Sequence, residues 1–118
     1  MAELVISEEP GDGVVFMQLR GYVDEHTYGK FQSSVEAHLS QKVYNFIMEV
    51  RELDHISSAG AGVFVESVQI CQNHGGDIVL VRPQEQLSDI FEVLGVLDLF
   101  PTFDSRAEAE AYFSRERV

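Results

Sequence analysis

The sequence predicts an α/β domain, a mixed β-sheet of four to five strands with about four helices packed against it. Three observations lead there. Residues 43–50 are apolar on both faces, the pattern of a central strand covered on both sides. A helix-like run over residues 63–71 and a second buried strand over 77–81 follow. Strand, helix and strand within about 40 residues make a parallel unit with a right-handed crossover. Near the N-terminus the apolar residues alternate instead, with the period of two that marks a hairpin.

Taken in order, residues 4–6 are a short apolar run closed by the turn signal Pro10-Gly11-Asp12-Gly13. Over residues 14–19, Val15, Met17 and Leu19 share one face, and Val14, Phe16 and Gln18 share the other. These two runs form the hairpin, and Gly21 ends its second strand. Tyr22-Val23-Asp24 then leads into a helix, with Asp24 as a plausible N-cap and Glu25 suited to the first turn. Phe31, Val35 and Leu39 recur every four residues as its buried stripe.

The central strand of residues 43–50 precedes a turn rich in serine and glycine. The helix beyond that turn is apolar over much of its circumference, through Ala61, Val63, Phe64, Val65, Val68 and Cys71. Asn73-His74-Gly75-Gly76 stops it. After the strand of residues 77–81, Pro83 starts a third helix, whose Leu87, Ile90, Phe91 and Leu94 fit a single inward face. Gly95 ends this helix. Residues 99–103 are a short edge strand, because Pro101 does not suit an interior position. Ser105-Arg106-Ala107-Glu108 is a capping box opening a last helix, with Ala109, Tyr112 and Phe113 facing inward. No repeat, linker or low-complexity tract interrupts the chain, so residues 1–118 read as one domain with its core over about 4–113.

Composition narrows the function. The 118 residues are 45% hydrophobic and 24% charged, as in an ordinary globular protein. A net charge of −12 argues against nucleic acid and against anionic lipid, both of which need a basic footprint. A single cysteine excludes an internal disulfide and a cysteine-rich metal site, and Cys71 reads as a small buried hydrophobe. No apolar run approaches a membrane span and the N-terminus is acidic rather than signal-like, so a cytoplasmic protein is expected.

The chemistry concentrates at Ser57-Ser58-Ala59-Gly60-Ala61-Gly62, between the central strand and its helix. A hydroxyl at a helix N-terminus meets free N–H groups and the positive end of the dipole, a good place for a phosphate, bound or covalently attached. The plainer role is that Ser57 or Ser58 is the N-cap. Gly60 and Gly62 give only a bare G-x-G without the third glycine of a dinucleotide site, and there is no P-loop lysine. Asp54, His55 and Ser57 lie too close in sequence to form a hydrolase triad, and no nucleophile elbow is present. His26, His38, His55 and His74 lack metal-ligand spacing. No cofactor is implied.

In order, the hairpin, Gly21-Tyr22-Val23-Asp24, the segment 53–62, Gly75-Gly76 before Ile78-Val79-Leu80-Val81, and the Leu94-Gly95-Val96 step resemble a STAS domain. More narrowly, they resemble the bacterial anti-sigma factor antagonists. That resemblance implies a substrate rather than an enzyme. In members of that family a serine at the start of the second helix is phosphorylated by an anti-sigma factor that is also a serine kinase. The unphosphorylated form binds that kinase and frees the sigma factor, and a PP2C-type phosphatase removes the mark. Anchored on Gly60, the family's Asp-Ser-Ser/Thr-Gly motif places the acceptor on Ser58 and the aspartate on Ser57, so Ser57 is a rival acceptor. The implied partner surface comprises Asp24, Ser57, Ser58, Ala59, Gly60 and Ala61. The alternative is a STAS scaffold or small-ligand-binding regulatory module that is not phosphorylated.

Overall fold

A computed structural model describes residues 3–116. The strands are β1 (Leu4–Pro10), β2 (Val15–Val23), β3 (Asn45–Glu49), β4 (Leu53–Ile56), β5 (Asp77–Val81) and β6 (Thr102–Phe103). The helices are α1 (Tyr28–Leu39), α2 (Ser58–Asn73), α3 (Glu85–Val93) and α4 (Arg106–Glu116), with a 3₁₀ turn at Leu97–Leu99. The sheet runs β1-β2-β3-β5-β6, and β4 pairs with the end of β2. Among the described residues the β1–β2 hairpin is antiparallel and every other pairing is parallel.

The alternation of side chains splits the interior in two. Val15, Met17 and Leu19 of β2, Phe46 and Met48 of β3, and Ile78 and Leu80 of β5 face the larger core under α1, α2 and α3. Ile47, Val79 and Val81 face the other way, onto Ala109 and Phe113 of α4. The central strand is thus covered on both faces, as its unbroken apolar run requires. Phe64 of α2 joins the helices: its ring lies 4.8 Å from Phe31, 5.5 Å from Phe91 and 6.1 Å from Phe100. Aromatic packing of this kind holds α2 and α3 at fixed positions beside each other.

Several boundaries differ from the sequence reading. Among the described residues there are six strands, because residues 53–56 form β4 where a turn was expected. Its pairing Gly21↔Leu53, Tyr22↔His55, Val23↔Ile56 contains a register shift beside Gly21. Gly21 does not end β2 but sits within it at φ +102°, where a Cβ would lie 2.1 Å from the Glu3 carbonyl oxygen. Helix α1 begins at Tyr28, four residues beyond Asp24, with Thr27 rather than Asp24 at its N-cap position. Helix α3 begins at Glu85, two residues past Pro83. The strand expected over 99–103 shrinks to β6, since Leu97–Leu99 curls into the 3₁₀ turn. Half of the capping box of α4 is formed: the Glu108 N–H donates to Ser105 Oγ at 3.2 Å, while Glu108 Oε1 accepts from the Asp104 N–H rather than from that of Ser105.

Candidate functional site

The site is built where β2 and β4 end side by side. Val23 pairs with Ile56, and the Ser57 N–H donates to the Val23 carbonyl at 2.8 Å. The backbone leading into Asp24 therefore lies against the residue that starts the serine turn. Two segments far apart in sequence meet at this edge of the sheet.

The two serines have separate roles. Ser57 is the N-cap of α2, in an extended conformation, and its Oγ accepts from the Gly60 N–H at 3.2 Å. Ser58 occupies the first helical position and is exposed; its hydroxyl has no protein partner among the described residues. The cap is thus satisfied one residue earlier, leaving Ser58 free at the positive end of a 16-residue helix. Gly60 and Ala61 do not face solvent as a partner surface requires. Ala61 is fully buried, and a Cβ on Gly60 would sit 2.5 Å from Val23 Cγ1 and 2.7 Å from its carbonyl. They support the turn from beneath, because the helix start must lie flat on the ends of β2 and β4. Ala59 is half-buried at the rim.

Asp24 caps the turn before α1 rather than the helix itself. Its Oδ1 accepts from the His26 N–H at 2.9 Å and the Thr27 N–H at 3.1 Å, while the Asp24 N–H donates to Thr27 Oγ1. Donation from the His26 N–H, with help from Thr27, holds the carboxyl below its ordinary value of 3.8. Asp24 is an acceptor-only anion held by its own turn, one residue after the Val23 that meets Ser57.

One part of the site was not read from the sequence. A groove of about 380 Å³ runs beside Ser58, lined by Ile56, Ser57, Ser58, Asp89, Ile90, Val93 and Leu94. Leu94 was expected to face inward but is 47% exposed, and Val93 is 86% exposed. Leu87 and Phe91 alone make the fully buried stripe of α3, since the helix ends at Val93 and the chain turns away at Gly95. The visible signal was Val93, an apolar residue outside the inward stripe.

Other residues weighed in the sequence are placed as follows in the fold. Asp54 is exposed and accepts from Gln84, the His55 ring lies 5.7 Å from Tyr22, and Ser57 Oγ is used by the cap. Among the described residues no group of three or more His, Cys, Asp or Glu could hold a metal ion. Cys71 is buried, and burial followed by the nearby Asp77 charge pushes its thiol up to about 12. A second cavity of about 270 Å³ lies against α4, but Arg106 spans it. The guanidinium stacks 3.9 Å from the Phe16 ring centroid and pairs with Glu9 at 2.9 Å and Glu110 at 3.2 Å. No helix among the described residues is long and apolar enough to cross a membrane.

The chain is 28% identical over 102 residues to BtrV of Bordetella bronchiseptica, a proposed anti-sigma factor antagonist, covering 86% of this chain and 88% of that protein. It is 22% identical to the anti-sigma F factor antagonist of Paenibacillus polymyxa, covering 90% of this chain and 92% of that one. The fold matches the anti-sigma factor antagonist SpoIIAA in its unphosphorylated form, with a TM-score of 0.83 at 18% identity over 94% of this chain and 97% of that one. It also matches the phosphorylated form of Bacillus SpoIIAA, with a TM-score of 0.75 at 17% identity over 92% and 99% of the two chains. The model of the STAS domain matches residues 6–109, and with this strand order around a serine-led helix the chain belongs to the STAS domain family.

Proposed function

We propose that the chain is an anti-sigma factor antagonist that acts by partner switching in the cytoplasm. Its unmodified form binds an anti-sigma factor that is also an ATP-dependent serine kinase, and so releases the sigma factor. Phosphorylation of Ser58 ends that binding, and a PP2C-type phosphatase restores it. The chain is a substrate in this scheme, not an enzyme. The observation that carries the reading is the exposed Ser58 hydroxyl at the first position of α2, freed by the Ser57 cap. The relatives named as anti-sigma factor antagonists support it.

The energetics fit a switch. A phosphate adds about −1.5 to −2 charge. At a helix N-terminus such an anion is stabilised by about 0.3–1 kcal/mol, so the fold survives the modification. The acceptor must approach the γ-phosphate of ATP, so the product phosphate is left facing the anionic remainder of the nucleotide. Like-charge contact in a desolvated interface costs several kcal/mol, roughly the scale of a lost hot spot. The interface term exceeds the helix term, and binding is lost while folding is kept. Asp24, Ser57 and Ala59 frame the acceptor, and Gly60 and Ala61 hold it in place from below.

Ser57, standing where the family motif has an aspartate, favours one other reading: a STAS scaffold or small-ligand module that is never phosphorylated. A pulldown with ATP, intact mass and phosphopeptide mapping separate the two. One added phosphate on Ser58 is expected. Titration calorimetry against the recovered kinase then compares Ser58→Ala, expected to bind as the unmodified chain does, with Ser58→Asp, expected to bind more weakly at unchanged thermal stability. Label confined to Ser57, or equal affinities for Ser58→Asp and wild type, would remove the switch from Ser58.

A further inference from the structure

The groove beside Ser58 has one charged residue in its lining, Asp89, set among Ile56, Ile90, Val93 and Leu94. In sequence, the segment between Arg82 and Arg106 carries Glu85, Asp89, Glu92, Asp98 and Asp104 and no Lys, Arg or His. Val93 is a large apolar side chain left 86% exposed at the centre of this acidic segment. An apolar ridge beside the Asp89 carboxylate fits a surface of complementary design, an apolar side chain flanked by Lys or Arg. A second copy of this chain fits poorly, because it would bring Asp89 against its own copy in a protein of net charge −12.

Resting on the function proposed above, we infer that α3 is the partner-selecting surface of this protein. Val93 and Leu94 dock an apolar side chain of the kinase, and Asp89 pairs with a basic residue beside it. Ser58 and α3 then divide the work. The serine at the head of α2 decides when the partner is bound, and the ridge on α3 decides which partner. The two are coupled because they line one groove, held in register by the Phe64–Phe91 contact at 5.5 Å between α2 and α3. A docking residue that takes no part in phosphoryl transfer changes how much kinase–substrate complex forms, not how fast the bound complex reacts.

Steady-state phosphorylation by the kinase, with this chain as the varied substrate, tests the assignment. Asp89→Lys should raise KM about tenfold at unchanged kcat, with the effect shrinking as salt rises. Val93→Ser, at a site too exposed to disturb the core, should raise KM about three- to tenfold, with little salt dependence. Glu36→Lys, on the exposed side of α1 and outside the groove, makes the same change in net charge and should leave KM within about twofold. Thermal melts of all three variants should match the wild type. Equal KM shifts for Asp89→Lys and Glu36→Lys would reduce the effect to overall charge and overturn the inference, as would unchanged KM in Asp89→Lys and Val93→Ser. Wild type that is neither bound nor phosphorylated would instead refute the function itself, and the docking surface with it.

Discussion

Ser57 and Ser58 carry the same side chain one position apart, and the start of α2 gives each a different task. Replacing Ser57 by alanine deletes the acceptor for the Gly60 N–H and should cost about 1 kcal/mol. Replacing Ser58 removes a hydroxyl with no protein partner among the described residues and should change stability by less than about 0.5 kcal/mol. Urea denaturation of the two variants checks this, and the opposite ranking would place the cap on Ser58. Asp24 gives a prediction in pH. Its carboxyl is held below 3.8 by the His26 and Thr27 donors, so the stability it adds is fully present above the ordinary carboxylate value. That contribution is lost as pH falls through the lowered value. Carbon-detected NMR titration should find a midpoint below 3.8, and Asp24→Asn should lose this acid dependence. A midpoint at or above 3.8 would mean that the turn does not hold the carboxylate in solution.

At the scale of the element, α2 holds two glycines with opposite prospects. Gly60 lies on β2 and β4, and a Cβ there meets Val23 Cγ1 at 2.5 Å, the Val23 carbonyl at 2.7 Å and Ile56 Cγ1 at 3.0 Å. The carbonyl cannot swing aside without breaking its bond from the Ser57 N–H. Gly60→Ala should therefore destabilise by about 1–3 kcal/mol. A Cβ on Gly62 meets nothing within 4 Å, and the residue is exposed inside a regular helix. Gly62→Ala should stabilise by about 0.5–1 kcal/mol, because alanine loses less backbone entropy on folding. Chemical denaturation reads both. Destabilisation by Gly62→Ala would show that something packs on that face of α2.

Across the whole molecule the dominant feature is charge. Twenty acidic residues face eight Lys and Arg. Among the described residues, Arg82 pairs with buried Glu49 at 3.1 Å, Arg106 with Glu9 and Glu110, and His38 with Glu8. Most acids are therefore left to repel one another across a Cα radius of gyration of 13.0 Å, a span that millimolar salt screens only in part. Raising NaCl from about 20 to 300 mM should lift Tm by about 2–5 °C. Calorimetric scans decide the sign: a falling Tm would mean that the ion pairs outweigh the repulsion.

The sequence by itself determined the α/β class, the hairpin, the doubly covered central strand, the helix ends at Gly75 and Gly95, and the serine turn. Each is written in local terms, as a period of apolar residues or a residue that stops an element. What only the tertiary structure decided depends on a second element. Leu53–Ile56 is a strand because the end of β2 pairs with it, and Asp54 and His55 alone give no strand signal. Gly60 and Ala61 are buried because β2 and β4 end beneath them, though as small residues they read equally well as surface. Leu94 fits the period of its helix yet lies open, since periodicity orients a side chain but cannot say whether anything packs against it. The choice between Ser57 and Ser58 as cap turned on one hydrogen bond, whose geometry followed from where β4 delivers the chain to α2.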